Sequence, residues 1–295
     1  MKEFEITLDG QSIHGVKWGN PENPPVVCMH GLTNNALGFI EVAEELQDQF
    51  HLIAFDLPGH GKTDAFMDEN SYLFKPFSEW LNAIITKVCS SPVYMLGHSW
   101  GAAIAVHYAS LYKEDVKGIV MLDGGYICPS DEPSTNLDEH LQNISNWIND
   151  SNFKSITKYE EKKKEEVGRW SEALQKMVRA DMTADGGGVR MRTREETARA
   201  IMKALYNEPS SKLFKDITVP VYLLRGTLPE EAEPVRVDAV DSMRSAIKSE
   251  CRISAIEDAG HVLHWQKPTE VISDIRGWLA AQEDLTSIEN TPRSF

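Results

Sequence analysis

The fold of this chain is decided by the stretch VYMLGHSWGAAI, residues 93–104. Its first four residues are apolar and β-prone, and the small residues that follow Gly101 begin a helix. Ser99 stands between them in a Gly-x-Ser-x-Gly pattern, on a tight strand-to-helix turn that pushes its hydroxyl out of the backbone. Gly97 and Gly101 leave room for the neighbouring strand and helix. The setting therefore indicates a reactive serine rather than one that only solvates a surface.

Strands and helices alternate on both sides of this stretch. Asp9-Gly10 is a hairpin turn between two early strands. Three further segments are continuously apolar, as strands covered on both faces require, and they are residues 26–29, 52–55 and 119–122. Helical patterns separate them near residues 38–47 and 76–88. The alternation predicts parallel βαβ units with right-handed crossovers and hence an α/β fold.

The alternation stops between Tyr126 and Lys212. This region has several helical patterns and no convincing strand, and Gly186-Gly187-Gly188 is interpreted as a flexible loop. Strand patterns resume at residues 219–224 and 252–256, followed by an amphipathic helix after Pro268. The sequence therefore predicts an α/β core, residues 1–125 and 213–295, interrupted by a helical cap insertion, residues 126–212.

Composition restricts the function classes. Of the 295 residues, 41% are hydrophobic and 25% are charged, as in a soluble globular protein. The net charge of −15 argues against nucleic acid or an anionic membrane as a partner. A cytoplasmic location is the simplest interpretation, because we see no signal peptide, no membrane-spanning run and no paired cysteine spacing. The sequence suggests neither a metal nor a cofactor, and it leaves the oligomeric state open.

Ser99 needs a base, because a serine hydroxyl is a poor nucleophile at neutral pH. His261 is the best candidate, since it follows the last core strand on a loop at the carboxyl edge of the sheet, where Ser99 also lies. His98 precedes the serine but points away from it if the turn is tight. We therefore predict that His261 takes the Ser99 proton.

An acid must hold the imidazole in one tautomer. The loop after the strand 221–224 would place an acid well, so Glu230 is the first choice and Glu231 the second. Asp123, at the end of the strand 119–122, is a geometrically possible third choice. Its alternative role is to cap the following turn, and we favour that alternative.

The tetrahedral intermediate of an acyl transfer carries an oxyanion that needs preorganised donors. Gly31 lets the backbone turn so that the Leu32 amide faces the pocket, and the Trp100 amide supplies a second donor. The side chains of Leu32 and Trp100 are expected to line the acyl pocket.

These motifs together resemble the α/β-hydrolase superfamily. His30-Gly31 is similar to its oxyanion motif, residues 56–61 (DLPGHG) to its turn after the fourth strand, and Gly260-His261 to its histidine loop. The resemblance implies a mostly parallel eight-stranded sheet with a helical cap inserted after the sixth strand. This sequence departs from the family pattern at the acid, where Gly226-Thr227-Leu228-Pro229-Glu230 replaces the usual Gly-x-x-(Ser)-Asp.

The sequence therefore predicts a carboxylesterase-like serine hydrolase that cleaves a small carboxylic ester or a related acyl substrate, such as a lactone or a thioester, through an acyl-enzyme. Three alternatives stay open. The same residues would serve a carbon–carbon bond hydrolase or an enzyme like proline iminopeptidases, some of which carry Gly-x-Ser-Trp-Gly. They would also occur in a ligand receptor that keeps the hydrolase fold and turns over little.

Overall fold

A computed structural model describes residues 1–89, 92–131 and 136–289 of the chain. Its first part alternates strands with helices, as the sequence predicts. The elements are β1 (Lys2–Leu8), β2 (Gln11–Trp18), β3 (Pro25–Met29), α1 (Ile40–Leu46), β4 (His51–Phe55), α2 (Phe74–Val88), β5 (Val93–His98), α3 (Trp100–Leu111) and β6 (Val116–Leu122).

The segment that follows β6 leaves the main sheet. Its elements are α4 (Leu137–Asn149), β7 (Asn152–Phe153), α5 (Ile156–Val167), α6 (Glu172–Ala180), β8 (Met182–Asp185), β9 (Gly188–Met191), α7 (Glu195–Asn207) and a 3-10 helix (Ser210–Asp216). We call this segment the insertion. The chain then returns to the core with β10 (Val221–Gly226), α8 (Glu233–Ala246), β11 (Cys251–Ile256), α9 (Leu263–Gln266) and α10 (Pro268–Glu289).

The main sheet has eight strands in the order β1-β2-β4-β3-β5-β6-β10-β11. The β1–β2 and β2–β4 pairs are antiparallel, and the other pairs are parallel. This confirms the predicted fold class.

Both faces of the sheet are covered, since the central strands β3, β4, β5 and β10 are buried at every position. In β5, the side chain of Met95 packs into the core on one face, and those of Tyr94 and Leu96 pack into the core on the other. This alternation is the two-residue period of a strand. Helices α2, α3 and α8 cover the first face, and α1 and α10 cover the second.

The insertion is not entirely helical, and the prediction that it lacks strands is wrong. Strands β7, β9 and β8 form a small antiparallel sheet. Gly186 and Gly187 make the two-residue turn between β8 and β9, with φ of 51° and 96°, instead of a flexible loop. Glycine suits such a turn because both central residues need positive φ. The strands have four residues or fewer, too short for a visible alternation. The predicted boundaries at residues 126 and 212 stay predictions.

The parallel strands of the core bring several loops to one edge of the sheet. The residue pairs Met29–Gly97, His98–Leu122 and Gly226–Ile256 lie side by side at the carboxyl ends of their strands. The loops that follow β3, β5, β6 and β11 therefore start close together. Among the helices of the described part of the chain, none has both the length and the apolar character needed to cross a bilayer.

Candidate active site

Ser99 occupies the predicted tight turn between β5 and α3. Its backbone has φ 54° and ψ −118°, a conformation that a non-glycine residue rarely adopts. A Cβ atom on Gly97 would collide with the carbonyl of Gly101, and one on Gly101 would collide with that of Met29. The two glycines are therefore required by the close approach of strand and helix, and the turn they permit presents the hydroxyl of Ser99 at the edge of the sheet.

His261 lies beside Ser99 although 162 positions separate them. Its Nε2 is 2.9 Å from Ser99 Oγ, a hydrogen-bond distance. The ring stands on the loop that follows β11, as the sequence predicts.

The loop that carries His261, which we call the histidine loop, is held in place by His98. The Nε2–H of His98 donates to the carbonyl oxygen of His261 at 2.8 Å, so His98 points away from the serine hydroxyl. Burial lowers the pKa of His98 well below its usual value, and the nearby His264 and His261 add to the effect. His98 is therefore neutral, and its ring fixes where the loop that carries His261 can lie.

Asp123, and not Glu230, is the acid in contact with His261. The Asp123 Oδ2 lies 2.8 Å from His261 Nδ1. The predicted contact with Glu230 is wrong, since Glu230 is exposed in a 3-10 helix (Glu230–Ala232), as is Glu231. The sequence ranks Asp123 third and favours a turn-capping role for it, and the contact with His261 shows that this ranking is wrong.

The path of the chain after β10 explains why Glu230 lies elsewhere. The Leu228 amide donates to the carbonyl of Ala259 at 2.9 Å. The guanidinium of Arg236 donates to the carbonyls of Leu228 and Pro229 at 2.6 and 2.9 Å. These bonds hold Leu228 and Pro229 beside the loop that carries His261. Glu230 comes after them, in the next helical turn, and does not contact His261.

The carboxylate of Asp123 is buried and oriented. Its Oδ1 accepts hydrogen bonds from the Gly226 amide at 3.1 Å and from the Tyr126 hydroxyl at 3.4 Å. Burial, together with the nearby carboxylate, raises the pKa of Tyr126, which keeps that hydroxyl protonated as a donor. One oxygen of Asp123 is thus occupied by donors from the core, and the other is directed at His261. Sequence reasoning considered Asp123 because it directly follows β6, but ranked it below Glu230 and Glu231.

The loop after β3 passes directly against the Ser99 turn. A Cβ atom on Gly31 would lie 3.1 Å from the Cβ of Ser99. His30 fixes the start of this loop, because its Nδ1–H donates to the Gly31 carbonyl at 2.8 Å and its Nε2 accepts from the Leu57 amide at 3.0 Å.

The two amides expected to act as oxyanion donors belong to this loop and to the first residue of α3. Within residues 1–89, 92–131 and 136–289, the amides of Leu32 and Trp100 donate to no protein acceptor. Neither amide therefore has a protein partner in the described residues that would compete with a ligand. The Trp100 amide also lies at the positive end of the α3 helix dipole.

The side chains of these two residues have different surroundings. Leu32 is half-buried against Ile144 and Ile148 of α4 and Ala198 of α7, so the insertion covers this side of the site with apolar groups. The ring of Trp100 is only 2% exposed and packs against His60 and Phe77. The ring therefore belongs to the core. The prediction that the Trp100 side chain lines the acyl pocket is wrong.

Titratable side chains elsewhere do not form a metal centre in the part of the chain that the structure describes. No group of three or more His, Cys, Asp or Glu side chains there could hold a metal ion. The chemistry that this arrangement can support is transfer of the Ser99 proton to the imidazole of His261, which Asp123 orients.

Parts of this chain are similar in sequence to known proteins. The serine hydrolase-like protein of Danio rerio is 27% identical over 148 residues, which cover 50% of this chain and 44% of that protein. The 3-hydroxybutyrate-oligomer hydrolase of Cupriavidus necator is 31% identical over 110 residues, which cover 37% of this chain and 38% of that protein. Each match therefore spans less than half of the relative's length.

The fold is also similar to that of solved structures. E-2-(acetamidomethylene)succinate hydrolase superimposes with a TM-score of 0.76 at 20% identity, over 95% of this chain and 99% of that chain. The family model of the alpha/beta hydrolase fold matches residues 24–268, which is most of the sequence. The chain therefore belongs to the α/β-hydrolase fold family.

Proposed function

We propose that this chain is a serine hydrolase that cleaves small uncharged carboxylic esters, or related acyl compounds such as lactones and thioesters, through an acyl-enzyme. The observation that carries the proposal is the chain of hydrogen-bond distances from Ser99 Oγ to His261 Nε2 (2.9 Å) and from His261 Nδ1 to Asp123 Oδ2 (2.8 Å). A nucleophile, a base and an orienting carboxylate in this order are the parts that acyl transfer needs.

In the acylation step, Ser99 Oγ attacks the carbonyl carbon while His261 Nε2 takes the hydroxyl proton. Asp123 accepts from His261 Nδ1–H, which leaves Nε2 free as the base and stabilises the imidazolium that forms. The proton on Nε2 then passes to the leaving alkoxide or thiolate as its bond to the acyl carbon breaks. The acyl group remains on Ser99 as an ester.

Deacylation repeats the sequence with water as the nucleophile. His261 Nε2 takes a proton from the attacking water, a bond forms between the water oxygen and the acyl carbon, and the bond to Ser99 Oγ breaks. The proton returns to Ser99, and the carboxylic acid leaves. In both steps the unpaired amides of Leu32 and Trp100 would donate to the oxyanion.

Apolar surroundings at Leu32 support an uncharged acyl group. The side chains packed around Leu32 come from Ile144, Ile148 and Ala198, none of which could pair with a charge on the substrate. The net charge of −15 also disfavours anionic substrates. The name of the Cupriavidus necator relative, a 3-hydroxybutyrate-oligomer hydrolase, is consistent with an acyl substrate.

The proposal is tested by steady-state hydrolysis of p-nitrophenyl butyrate. Ser99→Ala should lower kcat by about 10⁴- to 10⁶-fold and abolish labelling by a fluorophosphonate. The matched control is Ser110→Ala, in the same helix with its hydroxyl bonded to the His107 carbonyl, and it should retain both activities. Turnover that persists in Ser99→Ala would contradict the proposal. A single turnover followed by ligand-dependent binding of a partner would favour the receptor alternative instead.

A further inference from the structure

The side chain of Asn35 joins the loop beside Ser99 to the insertion. Asn35 is 1% exposed, and its Nδ2 donates to Asp181 Oδ1 at 2.7 Å and to the carbonyl of Met177 at 3.0 Å. Its Oδ1 accepts from the Leu37 amide at 2.9 Å. Both donors and the acceptor of this amide are thus used, and two of the three bonds cross from the core to the insertion.

Asp181 is a buried carboxyl group that takes no part in the proposed proton transfers. It ends α6 and is 2% exposed. Its Oδ2 accepts from the hydroxyl of Tyr159 on α5 at 3.1 Å, and its backbone carbonyl accepts from the Arg192 amide at 2.8 Å. Asp181 is therefore held by Tyr159 of α5 and by Arg192, which follows β9, so it offers Asn35 a fixed partner.

The segment His30–Asn35, which we call the oxyanion loop, is fixed at both ends. His30 bonds the loop at its start, as described above. The hydrogen bonds of Asn35 hold the loop at its end. The amide of the next residue, Ala36, donates to Asp56 Oδ1 at 2.8 Å. Between the two ends, Thr33 has φ 72°, in the left-handed region that a β-branched residue disfavours. The loop would relax from this conformation if one end were released, and it carries the Leu32 amide.

We propose that Asn35 and Asp181 are positioning residues for catalysis. Their hydrogen bond holds the oxyanion loop from the insertion so that the Leu32 amide is directed at the carbonyl oxygen of the bound substrate. This inference rests on the proposed function, and it gives the insertion a role in the chemical step in addition to covering the site. If the Leu32 amide is displaced by about a few tenths of an ångström, or rotated by some tens of degrees, its hydrogen bond to the oxyanion weakens and the transition state is stabilised less.

The test compares three variants with the wild-type chain in p-nitrophenyl butyrate hydrolysis, each normalised to active sites titrated with a fluorophosphonate. Asn35→Ala should lower kcat by about 10- to 100-fold and leave KM within about 3-fold, because only the transition state uses the Leu32 amide fully. Asp181→Ala should act in the same direction. Asp181→Asn should stay within about 3-fold of wild type, because its amide oxygen can accept from Asn35 and its N–H can donate to the Tyr159 oxygen.

A second readout separates positioning from simple support of the fold. A trifluoromethyl ketone that adds to Ser99 mimics the tetrahedral intermediate, so its affinity should fall in Asn35→Ala by about the same factor as kcat. Ser171→Ala is the matched control, because it breaks another bond between the insertion and the core, the 2.8 Å bond from Ser171 Oγ to Glu41. It also removes the N-cap of α6. This variant should lose thermal stability but keep kcat within about 2-fold.

The outcomes are distinct. If Asn35→Ala and Asp181→Ala only lower the melting temperature, with kcat per titrated site and ketone affinity unchanged, the positioning role is refuted and the proposed function stands. An equal loss of kcat in Ser171→Ala would also refute it. If the wild-type chain shows no Ser99-dependent turnover at all, the proposed function fails and the positioning role fails with it.

Discussion

Replacing Asp123 with asparagine should nearly abolish activity while changing the shape of the site very little. In the wild-type chain, Asp123 Oδ1 accepts from the Gly226 amide and the Tyr126 hydroxyl, and Oδ2 faces His261 Nδ1. In Asp123→Asn, the Gly226 amide and the Tyr126 hydroxyl still need an acceptor, so the side-chain carbonyl oxygen of the asparagine takes the place of Oδ1. Its NH₂ group must then face His261 Nδ1.

That orientation reverses the tautomer of the imidazole. An NH₂ group donates into Nδ1, so the ring carries its proton on Nε2 and cannot take the proton from Ser99. The loss expected for a base in the wrong tautomer is about 10³- to 10⁴-fold in kcat, equivalent to roughly 4 to 5.5 kcal/mol in the activation barrier. KM should change little, because the substitution removes no group that contacts the substrate.

The assay is kcat for p-nitrophenyl butyrate, with folding checked by the melting temperature. Glu230→Gln and Glu231→Gln are the controls, since both side chains are exposed in the 3-10 helix beyond the histidine loop, and each should stay within about 2-fold of wild type. The reasoning is refuted if Asp123→Asn retains more than a tenth of the wild-type rate, or if Glu230→Gln loses as much as Asp123→Asn.

Three further predictions concern packing, pH and specificity. Gly101→Ala should destabilise the fold by about 3 kcal/mol or more in urea denaturation, because its Cβ would collide with the Met29 carbonyl; a loss below 1 kcal/mol would contradict the packing argument. Burial raises the pKa of Asp181 from 3.8 to about 7. Between these two pH values the folded chain keeps a proton on Asp181 that the unfolded chain has lost. The contribution of Asp181 to the free energy of unfolding is therefore highest below about pH 4 and falls as the pH rises through about 7. Asp181→Asn should therefore gain stability relative to wild type, by up to about 4 kcal/mol between pH 4 and pH 8, and parallel curves of unfolding free energy against pH would refute this. Ile148→Ala should enlarge the apolar space beside Leu32 and shift kcat/KM by about 3- to 10-fold toward p-nitrophenyl octanoate over acetate, whereas an unchanged ratio would place the acyl group elsewhere.

Sequence reasoning located Ser99 and His261 because each stands in a turn or loop that follows a strand of the main sheet, β5 for Ser99 and β11 for His261. The apolar runs fix where such strands end, and the parallel arrangement brings their ends to one edge. The glycines at 97 and 101 also specify the Ser99 turn, which could therefore be placed without knowledge of the packing.

The acid could not be chosen in the same way, because two neighbouring strands end near His261. Strand β6 lies between β5 and β10, so both Asp123 and the loop after β10 were within reach. What decides between them is the direction of the chain after Gly226, and that direction depends on the bonds from Arg236 to Leu228 and Pro229. No local pattern in the sequence reports those contacts.

The insertion was predicted less well for a related reason. Its small sheet pairs Phe153 with Val189, two residues that stand 36 positions apart in strands too short to show alternation. The bond between Asn35 and Asp181 spans 146 positions and joins two polar side chains that look like ordinary turn and helix-end residues. Both features arise from tertiary contacts rather than from local sequence.

The most direct test of the central claim is to trap the acyl-enzyme and locate it. The chain is mixed with p-nitrophenyl butyrate, quenched in acid within the first turnovers and analysed by peptide mass spectrometry. We expect a butyryl group on the peptide that contains Ser99, absent from Ser99→Ala and formed far more slowly in Asp123→Asn. Release of p-nitrophenol at the wild-type rate with no acyl group on Ser99, or with the group on another residue, would contradict the account.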